Sequence, residues 1–215
     1  MNHLTSNVVP TVVIIDDDDI VRESLSGLLV SIGLKVDSYA SVQAFVEAGQ
    51  PDKPGCMVLD IRLPGRNGLD FQAELVRGNH QRPIIFVSGH ADVAMSVRAM
   101  KAGAVEFFTK PVHHQDLLDA VQVAIEKDRL RRAHDQSLAH AREAFELLTQ
   151  REREVLALVV LGWRNKQIAA EVGVTEATVK LHRSHIMQKM AAMSLIDLVR
   201  KTDRLGFSTP ASTKV

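Results

Sequence analysis

The sequence predicts an α/β fold with a doubly wound, five-stranded parallel sheet in its first half, followed by a helical linker and a small all-α domain. Three observations support this prediction. Short apolar runs alternate with amphipathic segments over roughly the first 125 residues, the net charge changes sign between the halves, and two helices joined by a glycine-containing turn follow near the carboxyl end. Alternating strands and helices are typical of parallel sheets that carry helices on both faces.

Five short apolar runs predict the strands, and their nearly continuous apolar character is typical of strands buried on both faces. The runs lie at residues 12–15, 35–39, 56–60, 84–88 and 105–109. Between most of them, apolar residues at helical spacing predict helices. Their stripes begin at Ile20, Phe71, Val93 and Leu117. Asp18 and Asp19 are expected to begin the first helix, because carboxylates complement the positive end of a helix dipole.

Polar side chains follow the predicted strands at their carboxyl ends. Asp16 and Asp17 follow the first strand, and Asp60 ends the third. Ser88 ends the fourth strand, and Lys110 follows the fifth. Ligands of such sheets bind beyond the carboxyl ends of the strands, so these side chains are expected to converge. Carboxylates suit Mg²⁺, and a divalent ion would offset the repulsion between them.

The charge of the chain divides it into two parts. The 215 residues carry no net charge. Residues 1–124 contain 10 Lys and Arg against 15 Asp and Glu, a net charge of −5, whereas residues 125–215 contain 16 against 11, a net charge of +5. This asymmetry predicts two domains, of which the first binds a cation and the second a polyanion.

The remaining composition is typical of a cytoplasmic protein. No apolar run approaches the roughly 18 residues that suggest a membrane-spanning helix, and the amino-terminal residues lack the regions of a signal peptide. The single cysteine, Cys56, lies in the apolar run CMVL. We therefore expect it to pack in the core of a reduced protein rather than to act as a nucleophile.

Four segments of the first half carry a family resemblance. The segments IIDDDDIVRESL, MVLDIRLPGRNGLD, VSGHADV and AVEFFTKPV resemble, in order and spacing, the signature blocks of bacterial response-regulator receiver domains. The resemblance covers residues 11–125 and implies a flavodoxin-like sheet with strand order 2-1-3-4-5. It also implies that a sensor histidine kinase donates a phosphoryl group.

The resemblance assigns the phosphoryl acceptor and the metal ligands by position. Asp60 would accept the phosphoryl group, and Asp16, Asp17, Asp60 and the main-chain carbonyl of Arg62 would bind Mg²⁺. A carboxylate is a weak nucleophile that can form an aspartyl phosphate. Phosphoryl transfer depends mainly on positioning and charge neutralisation. Such a protein assists its own phosphorylation and dephosphorylation and is otherwise not an enzyme.

The same resemblance assigns the residues that respond to the phosphoryl group. Ser88 would bond a phosphate oxygen, and Lys110 would pair with the phosphate. The Lys110–Pro111 peptide would be cis, which an X–Pro bond permits at low cost. Phe107 matches the aromatic residue that turns inward on activation, although many relatives carry a tyrosine there.

Residues 126–148 predict a helical linker. The stretch contains no Gly or Pro and is rich in good helix formers. Its apolar stripe is imperfect, so two interpretations remain open. The linker is either a solvated helical spacer or a helix that packs against a partner chain or transmits the signal rigidly.

The second half predicts a helix-turn-helix. Thr149 and Glu152 form a capping-box pattern that begins a helix. Asn165 is expected to cap the next short helix, and Gly173 to end it. Thr175 is expected to cap the last helix of the motif. Two helices joined by a tight turn with a glycine are typical of a helix-turn-helix.

The last helix of this motif has two different faces. The residues expected to pack inward are Val179, Ile186 and Met190. The residues expected to face outward are Lys180, Arg183, Ser184 and Met187. A DNA-recognition helix needs cations that contact phosphates and short polar or apolar side chains that contact base edges. A solvated basic face is the alternative.

The segment LTQREREVLALVVLGWRNKQIAAEVGVTEATVKLHRSHIMQKM resembles the LuxR-type helix-turn-helix. Together with the receiver blocks, it identifies the chain as similar to the NarL/FixJ class of response regulators, with receiver blocks nearest to those of FixJ. By position, the residues that would face bases are Lys180, Leu181 and Ser184. The residues that would touch phosphates are Arg183, His182 and Lys189, with a structural role for His182 as an equal alternative. The final amphipathic segment from Leu195 to Val199 would form either a dimer contact or part of the core.

The expected protein is a cytoplasmic, phosphorylation-controlled transcription factor, and the resemblance favours activation over repression. Phosphorylation would favour homodimers through a receiver face near Val93, Val97 and Val112, and the dimers would bind double-stranded promoter DNA. RNA polymerase is a further expected partner, and no membrane is involved. The expected domains are a receiver at 1–125, a linker at 126–148, a DNA-binding domain at 149–207 and a disordered tail at 208–215.

Two other functions share part of this pattern. A Mg²⁺-dependent phosphatase of the haloacid dehalogenase type also uses an aspartate at a strand end, a Ser or Thr, and a lysine. The DNA-binding tail and the absence of a cap insertion argue against it. A DNA-binding protein whose receiver takes no phosphate is the second alternative, and the intact acidic set argues against that.

Overall fold

The computed structural model describes residues 9–49, 52–89 and 92–206. The chain divides into two compact units, with the boundary between Arg132 and Ala133. The first unit contains the parallel sheet, and the second contains the helix-turn-helix. The tail expected to be disordered, residues 208–215, lies outside the described residues. Within the described part of the chain, no helix is both long and apolar enough to cross a membrane.

The first unit is built on five parallel strands in the order expected from the family resemblance. The strands are β1 (Thr11–Ile15), β2 (Lys35–Tyr39), β3 (Gly55–Leu59), β6 (Ile84–Ser88) and β7 (Glu106–Thr109). Their order across the sheet is β2-β1-β3-β6-β7. Each predicted strand is confirmed to within one residue at either end. A short antiparallel hairpin, β4 (Arg62–Leu63) and β5 (Arg66–Asn67), follows β3 and was not predicted.

Among the residues described in this unit, five helices lie within it or begin in it. They are α1 (Asp19–Ser31), α2 (Val42–Glu47), α3 (Gly68–Arg77), α4 (Val93–Lys101) and α5 (His114–Glu146). Asp18 caps α1 by accepting hydrogen bonds from the first-turn backbone, so Asp18 and Asp19 begin the helix as predicted. The sequence did not predict α2, because its six residues bury only Val42 and Phe45, too few for a periodic stripe.

The alternation of side chains along each strand produces two separate cores. On one face, Ile15, Leu59 and Phe86 pack with residues of α2, α3 and α4. On the other face, Ile14 and Val58 pack with residues of α1 and α5. The sheet is therefore covered by helices on both faces, as the nearly continuous apolar runs predict.

Helix α5 continues without a break through most of the predicted linker and ends at Glu146. Beyond residue 125 it is not uniformly solvated, because Asp128 is fully buried. Its carboxylate accepts hydrogen bonds from the Gly55 N–H at 2.9 Å and from Arg131 and Arg132 at 2.6 and 2.7 Å. These bonds attach α5 to the start of β3, so the first unit extends past the predicted boundary.

The described residues of the second unit form four more helices and a core of their own. They are α6 (Gln150–Val160), α7 (Asn165–Val172), α8 (Glu176–Lys189) and α9 (Leu195–Arg204). Thr149 and Glu152 form the predicted capping box, and Thr175 caps α8 as predicted. Gly173 ends α7 with a positive φ of 72°.

The expected cap at Asn165 is wrong. Arg164 occupies the N-cap position of α7, and Asn165 is the first helical residue. The side-chain oxygen of Asn165 accepts a hydrogen bond from Arg183 of α8 at 3.0 Å. The Asn165 side chain, which local capping rules assign to the helix start, therefore bonds instead to Arg183, 18 residues further along the chain.

Candidate functional site

Three carboxylates converge at the carboxyl edge of the sheet. Asp16 and Asp17 follow β1, and Asp60 follows the adjacent parallel strand β3. Each can offer an oxygen, and these atoms lie within 4.8 Å of one another. Asp16 and Asp60 are buried, at 2% and 6% exposure, while Asp17 is exposed. The predicted acidic cluster is therefore present, with one side open to solvent, and its oxygens are of the kind that bind hard divalent cations.

Lys110 reaches into this cluster from the end of β7. Its Nζ lies 2.6 Å from an oxygen of Asp16 and 2.7 Å from an oxygen of Asp60. The Lys110 N–H donates to the Ser88 carbonyl at 2.9 Å, and the Lys110–Pro111 peptide is cis, as the resemblance implied. The backbone thus holds the lysine side chain over two carboxylates that are 94 and 50 residues away in the sequence.

The electrostatics of the cluster follow from this partial burial. Burial raises the pKa of Asp16 above its ordinary value, although hydrogen bonds from Lys110 and Asp18 oppose the shift. Burial alone would lower the pKa of Lys110, but its hydrogen bonds to Asp16 and Asp60 outweigh burial and raise it. A single ammonium is thus shared between two buried carboxylates, and the site holds more negative than positive charge.

The loop after Asp60 is shaped by two close backbone approaches. The Arg62 N–H donates to Asp60 Oδ1 at 3.0 Å, which holds one carboxylate oxygen toward the start of the β4–β5 hairpin. A Cβ on Gly68 would lie 2.3 Å from the Asp60 carbonyl oxygen, so this position requires glycine. Sequence reasoning missed the role of Gly68, and the segment PGRNG, a turn pattern next to Asp60, is the signal that could have indicated it.

Two of the residues expected to respond to phosphorylation, Ser88 and Phe107, lie on adjacent strands. Ser88 is fully buried at the end of β6. Phe107 on β7 is partly buried, and its ring centroid lies 6.2 Å from that of Phe86.

The face expected to pair two receivers is partly exposed: Val93 and Val97 on α4 are 79% and 44% exposed. The remaining member, Val112, packs instead against the core formed with α1 and α5.

Helix α8 is the expected DNA-recognition helix, and some of its expected DNA contacts are exposed whereas others are partly buried. Lys180, Leu181 and Ser184 are exposed, and Leu181 keeps 55% of its surface accessible. His182 and Met187 are partly buried, and Met187 packs against the core, although it was expected to face outward. The inward residues were predicted correctly, since Val179, Ile186 and Met190 are all buried.

Two of the residues expected to contact phosphates bond to other side chains of the protein. The Lys189 ammonium lies 2.7 Å from a carboxylate oxygen of Glu152, whose side chain is 4% exposed. Arg183 is partly buried and donates to Asn165. Sequence reasoning missed the exposed residues His185 and Gln188, which follow Leu181 and Ser184 at i+4 spacing along the helix.

Comparisons with known proteins match both units to known families. A model of the "Response regulator receiver domain" matches residues 12–122, and a model of "Bacterial regulatory proteins, luxR family" matches residues 146–202. Nodulation protein W of Bradyrhizobium diazoefficiens is 47% identical over 206 residues, which cover 96% of this chain and 91% of that protein.

Solved structures give the same assignment. The structure of the response regulator StyR has a TM-score of 0.83 and 43% identity, and the match covers 91% of this chain and 99% of that one. Full-length FixJ from B. japonicum has a TM-score of 0.57 and 34% identity, and the match covers 93% of this chain and 98% of that one. The predicted fold class and the predicted family are confirmed. The chain therefore belongs to the NarL/FixJ class of response regulators, transcription regulators that join a receiver domain to a LuxR-type DNA-binding domain.

Proposed function

We propose that this transcription regulator is switched by phosphorylation of Asp60. A sensor histidine kinase is the donor, and an oxygen of Asp60 attacks the phosphorus as the bond to the kinase histidine breaks. One observation carries the proposal: the Asp60 carboxylate lies in a mostly buried acidic cluster with Lys110 at 2.7 Å. An isolated aspartate at a strand end would have neither the cation nor the neighbouring carboxylates.

The other residues of the cluster support the transfer. The oxygens of Asp16, Asp17 and Asp60 form a ligand set that fits Mg²⁺. The main-chain carbonyl of Arg62 would be a further ligand. When bound there, Mg²⁺ would neutralise charge on the phosphoryl oxygens. Lys110 pairs with the phosphate once the acceptor is modified.

Two further residues convert the modification into a change of the receiver surface. The Ser88 hydroxyl hydrogen-bonds a phosphate oxygen, and the Phe107 side chain turns inward. These movements shift the receiver between two states. Val93 and Val97 on α4, which are both exposed, then pack in a homodimer.

The output is binding to double-stranded promoter DNA. Lys180, Leu181 and Ser184 of α8 face the bases, and Arg183 and His182 support the contact with phosphates. Pairing of receivers makes the second DNA contact intramolecular, which raises the affinity for paired half-sites. The protein works in the cytoplasm and activates transcription through RNA polymerase.

Light scattering of the full chain tests this proposal. With Mg²⁺ and beryllofluoride, which stands in for the phosphoryl group on Asp60, we expect the mass to double relative to Mg²⁺ alone. Asp60→Ala should remain a monomer, while Asp37→Asn, which alters a carboxylate outside the cluster, should respond like the wild type. A mass that does not change, or that doubles equally in Asp60→Ala, would contradict the proposed switch.

A further inference from the structure

Arg183 of α8 bonds to a neutral side chain of the preceding helix. Its Nη1 donates to the side-chain oxygen of Asn165 at 3.0 Å. Asn165 is the first residue of α7, so this bond joins the two helices of the helix-turn-helix. The sequence predicted a phosphate contact for Arg183 and a helix cap for Asn165, and no local pattern relates the two residues to each other.

The surroundings of Arg183 leave its charge without a counterion. Arg183 is partly buried and lines a cavity of about 170 Å³, whose other described lining residues are all apolar. Within residues 9–49, 52–89 and 92–206, its guanidinium pairs with no carboxylate, and its one hydrogen bond is the bond to Asn165. A guanidinium has five N–H groups, so most of its donors are available to an anion.

Lys189, on the same helix, has the opposite kind of partner. Its ammonium lies 2.7 Å from a carboxylate oxygen of Glu152, so its charge is neutralised within the protein. The amide of Asn165 carries no charge, so its bond fixes the direction of the Arg183 guanidinium without neutralising it. Arg183 therefore keeps the charge that binding to phosphates requires, and its planar donor group is already oriented.

Exposed cations neighbour this pair on both helices. Lys180 precedes Arg183 by three residues, so the two lie on the same side of α8, one turn apart. Arg164 and Lys166 flank Asn165 in the sequence. All three cations are exposed, and none forms an ion pair with another residue of the described part of the chain. This uncompensated positive charge favours the approach of a DNA strand.

We propose that Asn165 is a positioning residue for DNA binding, and that it holds the Arg183 guanidinium toward a phosphate of the DNA backbone. Asn165 acts through Arg183 and does not itself contact the DNA. The inference rests on the proposed DNA contacts of α8 and adds to them a residue from another helix. Because the partner is a backbone phosphate, the contact is independent of base sequence.

Fluorescence anisotropy of the full chain on a short duplex of mixed sequence, measured over a salt series, tests the proposal. The slope of log affinity against log salt reports the number of phosphates contacted. Arg183→Gln should reduce this slope by about 1. Asn165→Asp should reduce it by about as much, because the new carboxylate pairs with Arg183 and neutralises it. Asn165→Ala should keep the slope and weaken binding about threefold, because the guanidinium is no longer held in place.

Gln150→Glu is the matched control. Gln150 is the exposed first residue of α6, as Asn165 is the first residue of α7. Both variants therefore place one carboxylate at the start of a helix, but in Gln150→Glu the guanidinium of Arg183 keeps its neutral partner. The salt slope of Gln150→Glu should match that of the wild type.

Urea unfolding followed by Trp163 fluorescence separates positioning from stability. Asn165→Asp should be at least as stable as the wild type, because a carboxylate at the start of a helix and its pair with Arg183 both stabilise the fold. Weaker DNA binding without lower stability would not follow from a merely structural role. In the Arg183→Gln background, Asn165→Ala should weaken binding no further, since Asn165 acts through Arg183.

Three results would overturn the inference. They are equal salt slopes for Asn165→Asp and Gln150→Glu, an unchanged slope in Arg183→Gln, and losses of affinity that add in the double variant of Asn165→Ala with Arg183→Gln. Each of them, with binding of the wild type intact, would leave the other proposed DNA contacts of α8 standing. A wild type that binds no duplex at any salt concentration would overturn those contacts together with the inference.

Discussion

At the scale of single residues, the surroundings of a side chain decide its chemistry. Asp16 and Asp17 are neighbours in the sequence, yet one is buried beside Lys110 and the other is exposed. Lys110 bridges Asp16 and Asp60, so it pairs with one oxygen of each of two carboxylates that the proposed Mg²⁺ site would use. The lysine and the metal ion therefore compete for the same negative charge.

Removal of this lysine should tighten Mg²⁺ binding. We expect Lys110→Met to lower the Kd for Mg²⁺ about tenfold at neutral pH, because a cation within 3 Å of two ligands no longer opposes the ion. Calorimetric titration with MgCl₂ measures the change. Lys101→Met, which removes an exposed lysine elsewhere on the unit, is the control. Weaker Mg²⁺ binding in Lys110→Met would show that the two cations do not compete.

Cys56 should be chemically silent in the folded protein. It is fully buried in the core, as the sequence predicted, and burial raises the pKa of its thiol to about 12. The thiolate is the reactive form, so Ellman's reagent should label the native protein only after denaturation. Ala139→Cys, which adds a thiol at an exposed position of α5, should react at once. Rapid labelling of Cys56 in native buffer would contradict its packing role.

At the scale of elements, one carboxylate connects α6 to α8. Glu152 belongs to the capping box of α6 and also pairs with Lys189 at the end of α8. His185 Nδ1 lies 3.6 Å from the same carboxylate. The residue that local rules assign to the start of α6 therefore also attaches α8 to α6.

The charge of Glu152 should make the stability of this unit depend on pH. Burial alone would raise the pKa of Glu152, but hydrogen bonds from Lys189 and Thr149 outweigh it and hold the pKa below its ordinary 4.5. The stabilisation is thus complete above pH 4.5 and is lost as the pH falls through the folded-state pKa.

We expect Glu152→Gln to lower the free energy of unfolding by about 1–3 kcal/mol at pH 7, with a smaller difference toward pH 3. Urea unfolding followed by Trp163 fluorescence measures both values. Glu154→Gln, which breaks an exposed pair with Arg151 on the same helix, should cost less than about 1 kcal/mol. A difference that grows toward low pH would reverse the assigned sign.

The two lysines of α8 should contribute differently to DNA binding. Lys180 is exposed, whereas Lys189 is bonded to Glu152. We expect Lys180→Gln to weaken binding to duplex DNA and to reduce the slope of log affinity against log salt by about 1. Lys189→Gln should leave that slope unchanged while lowering stability. Fluorescence anisotropy over a salt series measures the slopes, and a smaller slope in Lys189→Gln would restore its role as a phosphate contact.

At the scale of the whole molecule, the receiver unit ends later than the sequence pattern suggests. The predicted boundary lies at residue 125, and the compact unit ends at Arg132, seven residues further on. The buried carboxylate of Asp128, with Arg131 and Arg132, accounts for the difference, because it binds the first residue of β3. The two units carry opposite net charge, in keeping with a cation site in one and a DNA-binding surface in the other.

Two receiver fragments test this boundary. A fragment of residues 1–132 should be more stable than one of residues 1–125 by about 2 kcal/mol, because only the longer one contains the charged hydrogen bond to Gly55. Urea unfolding followed by circular dichroism measures the difference. Asp128→Asn in the longer fragment should remove most of it. Equal stability of the two fragments would place the boundary back at residue 125.

The sequence by itself determined the five strands, the helix caps at Asp18, Thr149 and Thr175, and the aspartates at the ends of the strands. These features depend on residues close together in the chain: the period of apolar side chains, the preference of short polar side chains for helix starts, and the shared direction of parallel strands. The family was recognisable for the same reason, since its signature blocks are local.

Only the tertiary structure decided which charges are buried and what they bind. Lys110 meets Asp60 across 50 residues, Asp128 meets Gly55 across 73, and Lys189 meets Glu152 across 37. A charged side chain is expected at the surface unless a partner compensates its loss of hydration. When that partner lies far along the chain, no local pattern records it, and the fold alone brings the two groups together.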